Sequence, residues 1–518
     1  MSVVSLEFLI FCAVVFIIYY LLPGSLQWIW LLISSLYFYF DISYYPIQFA
    51  EFIVIIFINY LAAVLMKEDG RRRKTIYICA LIFDVLCLAL FKYSRFFYNI
   101  FLAAGDLLHV NLQNNCLERF VFLCEEFQPL RISYFGLILI GYITDVYWRK
   151  NEALKNPCKL MLFTGFFPLM TSGPIVSLDQ MKDELFSNVK KRFSYDVTIR
   201  GLERILWGTF KKIVISERCA VLVNSIYNYY ESFRGFYIPL AASLFALQLY
   251  CDFSGLMDIV IGLSECFGIR LPENFDTPFY SLNLSEFWRR WHITLGGFLR
   301  DYVLYPIQRS SAFKKLRKAC KNKFGKGYEK HFNLPLYLSL LISWFLIGLW
   351  HGGGWNYIFG VGLYMWMIIV LGDICKPLLN GLTKILHIET DCDSYKLFLR
   401  IRTFIIFMFG LSFFRAESLS DGFKMWKLAF SAFNPWIFFD ESLYNLGLDR
   451  KEWGILLIGV ILLFIVSYIS QKENVRDYLK KQNFVFRLII FAVLFIMCIS
   501  WGYYGMSFDA TDFIYGRF

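Results

Sequence analysis

Two histidines stand where ionisable groups are costly. The first closes the run Glu286-Phe287-Trp288-Arg289-Arg290-Trp291-His292, and the second sits in Gly348-Leu349-Trp350-His351-Gly352. The chain has only 5 histidines, and both of these fall in stretches that read as embedded in lipid. An ionisable side chain at the bilayer centre costs about 2.5–3.5 kcal/mol on insertion scales, so such groups tend to mark function. Two imidazoles at depth suit proton chemistry, metal binding or a polar transport path. The 13 cysteines are scattered with no C-x-x-C pair, so neither a zinc cluster nor a disulfide framework is indicated. Cys116 and Cys124 lie in a more polar stretch, where a disulfide is possible but unsupported.

The elements that must hold these histidines follow from composition. Of 518 residues, 58% are hydrophobic and 20% aromatic. Soluble globular chains sit nearer half apolar, so a membrane class is favoured. Apolar stretches long enough to span occur at about 5–22, 26–45, 49–66, 75–91, 131–148, 160–176, 203–230, 236–263, 336–350, 355–376, 397–415, 453–470 and 485–504. A crossing helix needs about 20 such residues. Several stretches are short or broken by Gly or Pro. The expectation is therefore an all-α polytopic membrane protein with about eleven transmembrane helices plus one or two re-entrant helices. Linkers are too short for a separate soluble domain, so residues 1–518 are read as one membrane-embedded domain. Phe8 to Leu22 lacks a basic preceding region and a small-residue cleavage site, and reads as a retained helix.

A net charge of +11 does not imply nucleic acid here, because it is carried by short loops between apolar segments. Lys67 with Arg71, Arg72, Arg73 and Lys74 forms one cluster; Arg149, Lys150, Lys155 and Lys159 form a second. Nine Lys and Arg between Arg309 and Lys330 face a single acid, Glu329, and Lys472, Arg476, Lys480 and Lys481 form the last cluster. Cytoplasmic loops carry such an excess, which places all four inside and the N-terminus outside. The segment Pro278 to Ile307 carries Glu286, Arg289, Arg290, Arg300 and Asp301. It is too polar to face lipid, so it re-enters or lines a cavity. The Gly352-Gly353-Gly354 run lets the backbone turn sharply just after His351. His109, His331 and His387 lie in polar connections and read as solvated surface residues.

The same residues carry a family resemblance. Gly141-Tyr142-Ile143-Thr144-Asp145-Val146-Tyr147, Phe167-Pro168, Gly173-Pro174-Ile175-Val176 and Tyr250-Cys251-Asp252-Phe253-Ser254-Gly255 with Asp258 occur in order. Pro272-Glu273-Asn274-Phe275, the two histidine motifs, Arg300-Asp301-Tyr302, Phe413-Phe414-Arg415-Ala416 and Phe513-Ile514-Tyr515 complete the set. Together they resemble the membrane-bound O-acyltransferase family, in the branch of alginate O-acetyltransferases, peptidoglycan O-acetyltransferases and the teichoic acid D-alanyl transfer protein. The motif-bearing core spans about 131–415, with C-terminal helices at about 450–518. Gly296-Gly297-Phe298, Met365-Trp366 and Gly516-Arg517-Phe518 depart from the usual pattern without touching a proposed catalytic group.

The resemblance implies a ring of tilted helices around a central tunnel, with an acyl thioester reaching one side and an acceptor hydroxyl the other. It implies catalytic roles for His351, as general base, and for His292, near the donor mouth. Trp350 would shape the surroundings of His351. Arg289 and Arg290 would contact donor phosphates, or pair with Glu286 or Asp301. Tyr250, Asp252 and Asp258 would be donor- or substrate-binding candidates, or belong to a structural polar network inside the membrane. No bound cofactor or metal is implied; the acyl donor would be acetyl-CoA or an acyl carrier protein thioester. A second, extracytoplasmic SGNH-type transferase would pass the group to a polysaccharide. D-alanyl transfer to teichoic acid is the alternative within the class. A proton-coupled transporter or a non-catalytic membrane scaffold are alternatives of another class. Transporters often show internal repeats, and none is apparent here.

Overall fold

Side-chain caps punctuate the apolar runs. Ser5 accepts from the Phe8 amide, Asn283 from Glu286, Asn333 from Leu336 and Asn483 from Phe486. Each satisfies a backbone N–H that has no partner within its own first turn. Between these starts lie the helices. The computed structural model describes residues 5–67, 70–171, 173–187, 189–325, 327–330 and 332–504. His331 and the terminal motif Phe513-Ile514-Tyr515 with Gly516-Arg517-Phe518 lie outside them.

Most of the described residues are helical, and their one ladder contact is an isolated antiparallel bridge between Phe275 and Trp291. Among the described residues, seven helices are long and apolar enough to cross a membrane: Pro46–Leu65, Arg71–Phe91, Tyr237–Cys266, Trp355–Ile374, Asp393–Arg415, Arg450–Ser470 and Phe484–Trp501. Leu6–Leu21, Ile132–Tyr147 and Leu334–Trp350 are shorter apolar helices. The stretch expected at 160–176 is divided into Pro157–Gly165 and Phe167–Met170, followed by extended chain. Pro168 lacks the amide that would continue the first helix, so the chain turns and restarts. All 13 cysteines, Cys116 and Cys124 included, are free thiols.

The chain folds into two compact units. Among the described residues, the first joins the N-terminal residues up to Thr209 with Leu256–Glu273, and the second joins Phe210–Gly255 with the residues from Asn274 onward. The Tyr237–Cys266 helix contributes to both. In the first unit, the Tyr39 and Phe52 rings stack at 4.1 Å and Phe135 meets Phe52 edge-on at 5.2 Å. Asn59 donates to the buried carboxylate of Asp84 at 2.7 Å.

Three helices of the second unit contain a wider π turn, at Lys211–Ser216, Arg300–Leu304 and Ile358–Leu363. Such turns insert one residue into the helical register and concentrate at functional sites. Close approach of the last of them to Leu334–Trp350 requires Gly348, where a Cβ would come within 2.6 Å of the Ile358 Cα.

Candidate active site

Backbone pairing positions His292. Asn274-Phe275-Asp276 runs antiparallel to Arg290-Trp291-His292, with Asp276 N donating to Arg290 O at 2.9 Å and Ile293 N donating to Asn274 O at 3.0 Å. Upstream, Asn283 caps the Leu284–Arg290 helix and the Glu286 carboxylate accepts from Leu282 N at 3.0 Å. The helix stops at Trp291, and His292 takes a left-handed backbone, φ 47° and ψ 52°. Histidine is among the few side chains enriched in that region. Its ring is buried, edge-on to Phe253 at 4.8 Å.

His351 caps the C-terminal end of Leu334–Trp350. The glycines that follow let the chain turn, and the amides of Gly352 and Gly353 both donate to Leu349 O. At Gly352 a Cβ would come within 2.8 Å of the Tyr357 ring. The His351 ring is buried against Phe414 at 5.2 Å, and Phe414 is edge-on to Tyr357 at 4.9 Å.

Trp350 joins the two histidines. Its ring centroid lies 5.6 Å from that of His292 and 4.9 Å from that of His351. Two residues separated by 59 positions thus share one indole. Burial disfavours the charged form of imidazole, and a neutral imidazole can accept a proton.

The other expected site residues divide. Tyr250 is buried among Phe275, Phe279 and Trp291, at ring distances of 5.7, 4.9 and 5.9 Å, so it belongs to the shell around His292. Arg290 pairs with Glu286 at 2.8 Å and donates to Thr277 Oγ1 at 3.2 Å. Arg289 is exposed, and Asp301 pairs with Arg300. Asp252 pairs with Lys212. Asp258 belongs to the first unit, where its carboxylate takes the Arg204 guanidinium at 2.9 Å; Glu273 holds the other face of that guanidinium. His109 and His387 are exposed. A cavity of about 210 Å³ lies elsewhere, among Gln308, Arg317, Glu329, Asn333, Pro335 and Leu336.

Sequence reasoning passed over a buried ionic cluster. The Lys211–Ser216 π turn turns two lysines inward. Lys211 Nζ donates to Ser254 Oγ at 2.9 Å and lies 5.9 Å from the Tyr250 ring centroid. Lys212 Nζ bridges Asp252 and Glu217, 2.7 Å from each, and all three side chains are 1% exposed. Arg218, one residue on, pairs with Glu452 at 2.6 Å and stacks on Tyr503. The available signal was Lys211-Lys212 and Glu217-Arg218 inside an otherwise apolar stretch. Asn274 was visible only as part of a motif.

Comparison with known proteins identifies the family. The model of the membrane-bound O-acyltransferase family matches residues 34–319, more than half of the chain, and the protein belongs to that family. It is a multi-pass membrane acyltransferase. His292 falls inside the matched stretch and His351 beyond it. The chain is 29% identical over 424 residues to the probable alginate O-acetylase AlgI of Pseudomonas syringae pv. tomato, covering 81% of this chain and 73% of that one. It is 28% identical over 362 residues to the peptidoglycan O-acetyltransferase of Helicobacter pylori, covering 64% and 61%. Over 243 residues it is 31% identical to the teichoic acid D-alanyltransferase of Bacillus subtilis, covering 45% and 56%.

Proposed function

We propose that this protein transfers an acyl group, acetyl by preference, from a cytoplasmic thioester to a hydroxyl of a cell-envelope polysaccharide. The observation that carries the reading is the pair of buried imidazoles, His292 and His351, packed against the one indole of Trp350. The whole chain acts as one membrane-embedded domain in the plasma or inner membrane, with its N-terminus outside.

In the transfer step, His351 accepts the proton of the acceptor hydroxyl as the oxygen attacks the thioester carbonyl. The C–S bond breaks, and the departing thiolate takes the proton back from the imidazolium. Such proton transfer contributes about 10²–10⁴-fold. His292 lies toward the donor side. Arg289, which is exposed, is the guanidinium offered to donor phosphates, whereas Arg290 holds Glu286. The donor is acetyl-CoA or an acyl carrier protein thioester. An extracytoplasmic SGNH-type transferase supplies the hydroxyl acylated in this step and, in a second transfer, hands the acyl group to the polysaccharide hydroxyl, its own hydroxyl being the leaving group.

The test is base-labile acetate released from washed envelope and secreted polysaccharide. A deletion strain is complemented with wild type or with His351→Ala at matched membrane levels. Acetate lost in the deletion and restored by wild type alone supports the proposal. Equal restoration by His351→Ala removes the catalytic role and favours a scaffold. Unchanged acetate with lost D-alanine moves the acyl group to the activity named for the Bacillus subtilis relative.

A further inference from the structure

The environment of His292 determines which of its nitrogens carries the proton. Asn274, fully buried, directs one side-chain atom at three groups: the His292 Nδ1 at 3.1 Å, the Thr294 backbone N at 3.1 Å and the Thr294 Oγ1 at 2.9 Å. A backbone N–H can only donate. The Asn274 atom facing Thr294 N is therefore its carbonyl oxygen, since an amide NH₂ turned that way would oppose a donor with a donor. The same oxygen faces Nδ1 of His292, so Nδ1 must carry the hydrogen and donate. A neutral imidazole bearing its hydrogen on Nδ1 has its lone pair on Nε2.

We propose that Asn274 is a positioning residue that holds His292 as the Nδ1-protonated tautomer, so that Nε2 serves as a hydrogen-bond acceptor. The inference deepens the role given to His292 above and rests on it for its bearing on acyl transfer. Nε2 is then able to take a hydrogen bond from a thiol or hydroxyl of the substrates. Neutral His292 is unable to donate from that nitrogen to a developing oxyanion.

Two further observations support the assignment. The Asn274 Nδ2 makes no hydrogen bond among the described residues although it is buried. An orphaned buried donor costs about 1–3 kcal/mol, so the side chain is held for its oxygen. The backbone fixes the same geometry, because Asn274 O accepts from Ile293 N immediately beside the ring. A hydrogen bond to one ring nitrogen sets what the other can do.

The readout is the ¹⁵N solid-state NMR spectrum of the full chain, labelled at its 5 histidines and reconstituted in liposomes. His292→Asn removes one pair of signals and so assigns them. The expected wild-type pair has a protonated Nδ1 and a bare Nε2; a protonated Nε2 overturns the proposal. Asn274→Leu, with unchanged elution and thermal midpoint, is expected to admit the Nε2-protonated form. It should also lower kcat by about tenfold, less than the 10²–10⁴-fold that a proton-transfer group itself contributes, with donor KM nearly unchanged. Asn274→Asp keeps the acceptor oxygen and should retain the Nδ1-bound hydrogen and most of the activity. If Asn274→Leu does not fold, the wild-type and Asn274→Asp spectra still decide, and a bare Nδ1 in either overturns the assignment. Full activity of His292→Asn would remove the role of His292 in the reaction while leaving the tautomer as measured.

Discussion

The second unit buries ionisable groups in two ways. Around Trp350, two imidazoles lie among aromatic rings, with Phe253 on His292 and Phe414 on His351. On the Lys211–Ser216 π turn, Lys212 is locked between Asp252 and Glu217, and Arg218 is held by Glu452. Charges removed from water are tolerated only when paired and hydrogen-bonded. The lysine cluster meets that condition with carboxylates. The histidines are packed among aromatic rings instead. The lysine arrangement commits its charges to one another, whereas the role proposed for the histidines calls on an imidazole nitrogen. On the function proposed above, the histidine site carries the chemistry and the lysine cluster holds helices in place.

The contrast is most directly broken at His351. His351→Ala should lower acyl transfer by about 10²–10⁴-fold while the thermal midpoint in detergent stays within a few degrees. A large loss of folded protein instead would make His351 a structural residue. Lys212→Met should do the reverse. It strands two buried carboxylates, an uncompensated change of about 3–5 kcal/mol, visible as lost monodisperse protein. Combining it with Asp252→Asn and Glu217→Gln should recover much of that yield. Should Lys212→Met fold normally yet be inactive, the cluster belongs to the reaction and the distinction between the two regions falls. Gly352→Ala should have an intermediate effect, because the added methyl meets the Tyr357 ring. Overpacking costs about 1–3 kcal/mol, and activity should fall more than stability if the turn sets the His351 ring. Smallest is Arg289→Ala. This exposed substitution should leave stability within about 0.5 kcal/mol of wild type, and a raised donor KM would assign it to donor binding.

Much of the fold was legible because long apolar runs have one way to satisfy their backbone in lipid. The stretches at 49–66 and 75–91 became the Pro46–Leu65 and Arg71–Phe91 helices. His292 and His351 were legible as rare ionisable residues at depth. Their common contact with Trp350 was not, since it depends on how two distant segments pack. The lysine cluster was hidden for a similar reason. Lys212 finds Asp252 40 residues away and Arg218 finds Glu452 234 residues away, so the stretch at 203–230 shows its apolar average and conceals its pairs. The π turn that aims both lysines inward has no hydropathy signature. Asn274 looks like one residue of a motif until its oxygen is seen to face three donors.

The left-handed backbone at His292 has a bearing on sequence drift. With φ at 47°, the position disfavours β-branched and bulky residues whatever their chemistry, because their Cβ substituents collide with the neighbouring peptide. Glycine, asparagine and aspartate are the replacements the chain geometry accepts most readily. Accidental substitutions that preserve the fold are therefore drawn from a set in which none offers an imidazole. A lineage that lost this histidine would keep a well-folded membrane protein with a changed site, and its expression level alone would not reveal the loss.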